Sequence, residues 1–142
     1  RAGGIGVGIG ALGHHARVIA CEAETSTPLT TSLAAGMPMT VTHTRSFVDG
    51  MGGKSVFAEM WPIARELISG TITVSLDEIA GEVRTLVERH RVVAEGAGAA
   101  PVAAAAKISA DAGPVVCIAS GGNVDTTTLV TILSGRTPEL PQ

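Results

Sequence analysis

Pro114-Val115-Val116-Cys117-Ile118-Ala119-Ser120-Gly121-Gly122-Asn123 is the stretch on which the reading of this chain turns. A short apolar run ending in a hydroxyl and two glycines reads as a buried strand. It would present a small polar group at its carboxyl end, where backbone can approach a ligand, and ligands of open α/β sheets sit at that edge. Outward from it, residues 17–22, 71–74 and 92–95 are further short apolar runs, read as strands. Near-continuous apolar character suits parallel strands covered on both faces. The expected class is α/β, an open and largely parallel sheet with helices on both faces.

The intervening segments carry helical signals. Phe57, Met60, Trp61, Ala64, Leu67 and Ile68 share one helical face. Ser75 with Glu78 three residues on is a capping box, and Ile79, Val83, Leu86 and Val87 supply the buried stripe behind it. Arg89, His90 and Arg91 end that helix with the charge sign its C-terminus favours. A third helix is expected from about Ala99 to Gly113 with Pro101 in its first turn, and Asp125 caps a last one. Residues 36–55, with Gly36-Met37-Pro38 and Asp49-Gly50-Met51-Gly52-Gly53, break the periodicity and read as a long loop at the ligand edge.

Composition narrows the function. The chain has 142 residues, one domain's worth, and a net charge of −3, which attracts neither nucleic acid nor anionic membranes. One Trp, two Phe and no Tyr leave no stacking platform for bases. No apolar run has the length of a membrane span, and no signal peptide is visible. Cys21 and Cys117 lie in apolar runs and read as reduced, buried thiols of a cytoplasmic protein. The chain opens on glycine-rich sequence without an initiator Met, so the expectation is the middle of a protein, with at least one strand before it.

Gly3-Gly4-Ile5-Gly6 lets backbone N–H groups converge at a helix start, which suits a phosphate. Gly8-Ile9-Gly10-Ala11-Leu12-Gly13 also spells the dinucleotide fingerprint, but no strand precedes it and the next strand begins too soon. Those glycines are expected inside a helix. Glu22, Glu95 and Ser120 each stand at the carboxyl end of an expected strand and together point to one ligand rim. His14 and His15 are adjacent and cannot share a metal, and Lys54 and Lys107 read as solvated side chains.

Taken in order, these motifs resemble a known family. They are the glycine opening, the strand ending in Glu22, Asp49-Gly50, Trp61-Pro62-Ile63, Val74-Ser75-Leu76-Asp77-Glu78-Ile79, Glu95-Gly96-Ala97-Gly98 and Ser120-Gly121-Gly122-Asn123-Val124-Asp125. The set resembles the C-terminal half of the serine/threonine dehydratase and serine racemase family, pyridoxal-phosphate enzymes of the tryptophan-synthase-β fold type (fold type II). The resemblance runs from Gly3 to about Leu133. It implies the C-terminal part of the large, cofactor-binding domain. The N-terminal half, with the small domain and the Schiff-base lysine, is expected to lie outside the chain, and no amino-acid-sensing domain follows.

By that resemblance, Gly3, Gly4 and Ile5 hold the phosphate of pyridoxal 5'-phosphate, a cofactor shared with the N-terminal half. Arg1 and Ala2 replace the first two of the family's four loop glycines. Ser120 hydrogen-bonds the pyridine nitrogen, and Glu95 lies near the ring and the substrate. A hydroxyl partner leaves that nitrogen largely unprotonated, a weaker electron sink than a carboxylate would give, suited to β-elimination. Serine racemases bind a divalent cation with a glutamate at the position of Glu22 and an aspartate six residues later, where this chain has Pro28. Glu22, with Glu24 near, stays a candidate hard-cation ligand. No serine-phenylalanine-lysine motif occurs, so Glu95 is the one candidate catalytic group.

The expected function is half of a threonine/serine dehydratase that releases a 2-keto acid and ammonia, silent by itself. The expected partners are its N-terminal half, a small amino-acid substrate and further copies in a homo-oligomer. A serine racemase, a natural split subunit and a non-catalytic phosphate-ligand module are the alternatives.

Overall fold

The computed structural model describes residues 2–13 and 15–139, so Arg1, His14 and the last three residues lie outside it. Two parallel strands form its sheet, β1 (Val18–Ala23) and β2 (Ile68–Val74). Val18 pairs with Ile68, but Ile19 pairs with Gly70, so Ser69 is an extra residue on β2. Such a bulge flips the facing of everything beyond it. Ile68 therefore shares a face with Val18 and Ala20, whereas Ile72 and Val74 share the opposite face with Cys21 and Ala23.

Helices cover both faces. Beneath Ala20 and Ile68 lie α1 (Ala2–Ala11), α2 (Pro28–Ala35) and α3 (Trp61–Leu67), which contribute Ala2, Leu29, Leu33 and Ala64. Over Ala23 and Val74 lie α4 (Leu76–Thr85), α5 (Gly96–Ala105) and α6 (Thr126–Leu133), with Ile79, Val83, Ala99, Ala103 and Ile132 at the centre of the larger core. The chain is thus α/β with a parallel sheet between helical layers.

Local chemistry explains the best-formed ends. Ser75 accepts the Glu78 N–H at 3.1 Å while the Glu78 carboxylate accepts the Ser75 N–H at 2.7 Å, the capping box read from sequence. Asp125 accepts the Thr128 N–H at 2.8 Å and opens α6. The basic end of α4 runs on as a π-helical turn over Leu86–His90, closed by Arg91 in the left-handed region at φ 60°. Gly8 and Gly10 lie within α1, as the spacing against a dinucleotide site requires.

Two expected strands do not form. Residues 92–95 and 114–119 are without a strand ladder; Glu95 N–H donates to the Gly121 carbonyl at 3.0 Å. An apolar run becomes a parallel strand when neighbours pair its edges and layers cover both faces. Residues 114–119 have α5 on one side, where the Cys117 thiol donates to the Pro101 carbonyl at 3.4 Å, and solvent on the other, with Val116 83% exposed. Two helix expectations also shift, and one helix was not expected. The helix expected from Phe57 begins only at Trp61, leaving Phe57 exposed. The helix expected from Ala99 begins at Gly96, so Pro101 sits inside it rather than in its first turn, and it ends at Ala105. Residues 28–35 form α2, for which the sequence reading had no element. Residues 36–60 hold neither helix nor strand, apart from one antiparallel bridge between Thr40 and Ser55.

Candidate functional site

Glu22 is the next-to-last residue of β1, beside the start of α2, and its carboxylate is fully engaged there. Oε1 accepts the Leu29 N–H at 2.8 Å; Oε2 accepts the Thr30 N–H at 2.8 Å and the Thr30 hydroxyl at 2.6 Å. The nearby Glu24 accepts the Leu76 N–H at 2.8 Å. Among the described residues no group of three His, Cys, Asp or Glu side chains could hold a metal ion. Glu22 thus serves here as the acceptor for a helix N-terminus, whose unpaired N–H groups and positive potential favour a carboxylate. His14, half of the His pair set aside on sequence grounds, lies outside the described residues.

Beside Glu22 is a cavity of about 420 Å³ lined by Ala2, Cys21, Ser26, Lys54 and Ser55 among others. Ala2, Gly3 and Gly4 form the first turn of α1, where N–H groups have no acceptor within the helix, and Ile5 follows. The glycines there also let helices touch: a Cβ on Gly3 would lie 3.0 Å from Met60 Cε, and one on Gly6 2.9 Å from Leu67 Cβ. Lys54, read from sequence as a solvated side chain, is exposed and stands at this cavity.

A second cluster joins Glu95 to the Ser120 turn. Glu95 caps α5 with its backbone, its carbonyl accepting the Gly98 and Ala99 N–H groups at 2.9 and 3.0 Å. Its own N–H holds Gly121. A Cβ on Gly98 would lie 2.5 Å from the Ser120 carbonyl oxygen, and one on Gly122 2.9 Å from the Val93 carbonyl oxygen. The half-buried Ser120 is therefore seated directly on the first turn of α5. The structure brings Glu95 and the Ser120 turn together, whereas the Glu22 carboxylate, expected on the same rim, is engaged by α2, and Gly3, Gly4 and Ile5 stand at the start of α1 near the Glu22 cavity. Gly50 is the neighbour that sequence reasoning missed: Glu95 Oε1 would lie 2.9 Å from a Cβ placed on it. The Asp49-Gly50 pair was the available signal.

The thiols are free, and burial pushes both Cys21 and Cys117 above the ordinary thiol range. No described helix is long and apolar enough to cross a membrane.

The profile of the family described as "Pyridoxal-phosphate dependent enzyme" matches residues 1–121. The chain belongs to that family. It is 33% identical to the L-threonine ammonia-lyase of Geobacter sulfurreducens over 121 residues, 84% of this chain and 30% of that protein. Its fold superimposes on maize serine racemase with a TM-score of 0.80 and 27% identity, over 93% of this chain and 43% of that one. For the processed form of threonine deaminase isoform 2 from Solanum lycopersicum the TM-score is 0.83 at 25% identity, over 94% of this chain and 40% of that one. The chain thus spans less than half the length of each, and its fold is that of the fold-type II enzymes.

The donor set fits parts of such a cofactor. First-turn N–H groups beside a cavity that carries Lys54 suit an anionic phosphate. A neutral hydroxyl on a glycine turn beside a half-buried carboxylate suits a polar ring.

Proposed function

We propose that this chain is the C-terminal half of the large domain of a hydroxy-amino-acid dehydratase, acting on threonine, serine or a relative and releasing a 2-keto acid and ammonia. The observation that carries this reading is Ser120 fixed on the first turn of α5 beside Glu95. When bound, pyridoxal 5'-phosphate supplies an electron sink for chemistry at the substrate's α-carbon. The N–H groups of Gly3 and Gly4, with Ile5 behind them, bind the phosphate. The Ser120 hydroxyl orients the ring through its nitrogen without adding a charge, which favours loss of a β-hydroxyl. Glu95 would stand beside the ring and the substrate.

Neither lysine is set up as the base. Lys107 is tied to Glu78 Oε2 at 2.9 Å and to the Thr73 carbonyl at 2.9 Å, and Lys54 is exposed on a loop. The base for the α-proton comes in this reading from an N-terminal half, and the chain alone is silent. The exposed apolar run Val115, Val116 and Ile118 supports a surface that this half covers, whether supplied as a split subunit or as part of one polypeptide. Free thiols support a reducing, cytoplasmic setting.

The test is to mix the protein with pyridoxal phosphate, record the absorbance spectrum, reduce with borohydride and map any adduct by mass. The reading expects no reduced adduct specific to Lys54 or Lys107, and keto-acid release once a lysine-bearing N-terminal half is added. A stoichiometric adduct on Lys54 overturns the half-site reading.

A further inference from the structure

We infer that Gly50 is a positioning residue for Glu95, so that the loop over residues 36–60, the acid and the Ser120 turn behave as one unit. Three segments distant in sequence meet at Glu95, and two of them present a glycine to its carboxylate. A Cβ on Gly50 would lie 2.9 Å from Glu95 Oε1 and 3.4 Å from its Cδ. From the other side, a Cβ on Gly121 would lie 2.8 Å from the same Cδ and closer still to Oε1. The carboxylate therefore sits between two backbones, and a side chain on either would displace it from this position. Gly121, at φ 88°, needs glycine for its backbone as well. Gly50 has no such need, so a side chain there would be opposed only by its neighbours, Glu95 and Ala97.

The loop side of this grip is anchored. Val48 is buried in the larger core, and a Cβ on Gly96 would lie 2.9 Å from Val48 Cγ2 and 3.0 Å from Phe47 Cε2. Residues 47–50 are thus pressed onto the first turn of α5, the same turn that seats Ser120. A long, flexible Glu side chain pays rotamer entropy to stay in one place. Contacts on two sides limit where the carboxylate can go. The role as a positioning residue for catalysis rests on the function proposed above; the grip itself does not.

The test substitutes Gly50→Ala in the full chain and reads the Glu95 δ-carbon by carboxyl ¹³C NMR, without cofactor. A Cβ there would also lie 3.0 Å from Ala97 Cβ, so the carboxylate has to be separated from that contact. Glu95→Asp withdraws the carboxylate by one methylene and does so. In the wild-type background Gly50→Ala should shift the Glu95 resonance and lower the melting temperature. In the Glu95→Asp background the same substitution should lower it clearly less. Gly53→Ala, whose Cβ meets nothing closer than 4.0 Å, should leave the Glu95 resonance in place. Folding of the double variant where Gly50→Ala alone fails to fold also supports the grip. An unmoved Glu95 resonance, an equal melting loss in both backgrounds, or failure of both variants to fold overturns it, since Ala97 is then the obstacle. Keto-acid release after adding a lysine-bearing N-terminal half separates the two claims. Coupling between Gly50 and Glu95 with no keto-acid release from the reconstituted wild type leaves the grip standing and removes the proposed function.

Discussion

Glu22 and Thr30 are bonded twice through one oxygen: Oε2 accepts both the backbone N–H and the hydroxyl of Thr30, at 2.8 and 2.6 Å. The Thr30 hydroxyl also shares a hydrogen bond with the Thr71 hydroxyl at 2.9 Å, so the contact ties β1, α2 and β2 together. Glu22 is only 8% exposed, and removing it would strand the Leu29 and Thr30 N–H groups where water reaches them poorly. Leaving such donors unmet costs about 1–3 kcal/mol, and bonds to charged acceptors are the stronger ones. Glu22→Ala is therefore expected to lower the unfolding free energy by about 2 kcal/mol or more. Urea denaturation checks this, and a loss under about 0.5 kcal/mol, the range of ordinary surface changes, would remove the capping role.

The Ser75–Glu78 box carries a pH dependence with a definite sign. Hydrogen bonding to the Ser75 backbone, then to Lys107, holds the Glu78 carboxyl below the ordinary glutamate range. A carboxyl depressed in the fold stabilises above its unfolded value, about 4.3, and loses that contribution as pH falls through the folded value. Glu78→Gln should thus be less stable than wild type at pH 6, with the gap narrowing below about pH 4.3. Ser75→Ala should cost about 1 kcal/mol. Thermal melts of the three proteins from pH 3 to 7 check both; a Glu78→Gln gap that stays constant with pH contradicts the assignment.

Cys21 and Cys117 should be slow nucleophiles. Burial disfavours the thiolate of each, and the thiolate is the reactive form. Rates of iodoacetamide labelling, resolved by peptide mass, are expected to reach half-maximum above pH 8.5, where an ordinary thiol is half ionised. A midpoint at or below that value for either residue means that its surroundings are more open than this structure has them.

What the sequence could disclose followed from range. The Ser75–Glu78 box and the Asp125 cap are contacts within three residues, and both were legible. β1 and β2 were legible because each is apolar and finds a partner. The runs at 92–95 and 114–119 look the same in sequence, yet pairing depends on a neighbour that no local pattern encodes. Helix α2 escaped because Thr30, Thr31 and Ser32 are weak helix formers, and its N-terminus is satisfied by Glu22 from another element. The roles of Glu22 and Gly50 were hidden likewise. Each depends on atoms that lie far along the chain or in the next layer.

Two glycines in helices should respond oppositely to the same substitution. Gly81 lies in α4 with nothing within 4 Å of a built Cβ, so Gly81→Ala gains helix propensity alone, about 1 kcal/mol of stability. Gly98 in α5 would gain as much, but its Cβ would meet the Ser120 and Gly121 carbonyl oxygens at 2.5 and 2.8 Å. Both are backbone atoms and cannot swing aside as a side-chain end does. Overpacking of this kind costs about 1–3 kcal/mol, occasionally more, and outweighs the propensity gain as the turn is pushed off the helix. Gly98→Ala should therefore destabilise and also weaken pyridoxal phosphate binding, because Ser120 moves with its carbonyl. Denaturation curves for the two variants, with cofactor titrations beside them, decide the matter. Equal stabilisation by both would mean that the Ser120 turn does not rest on α5.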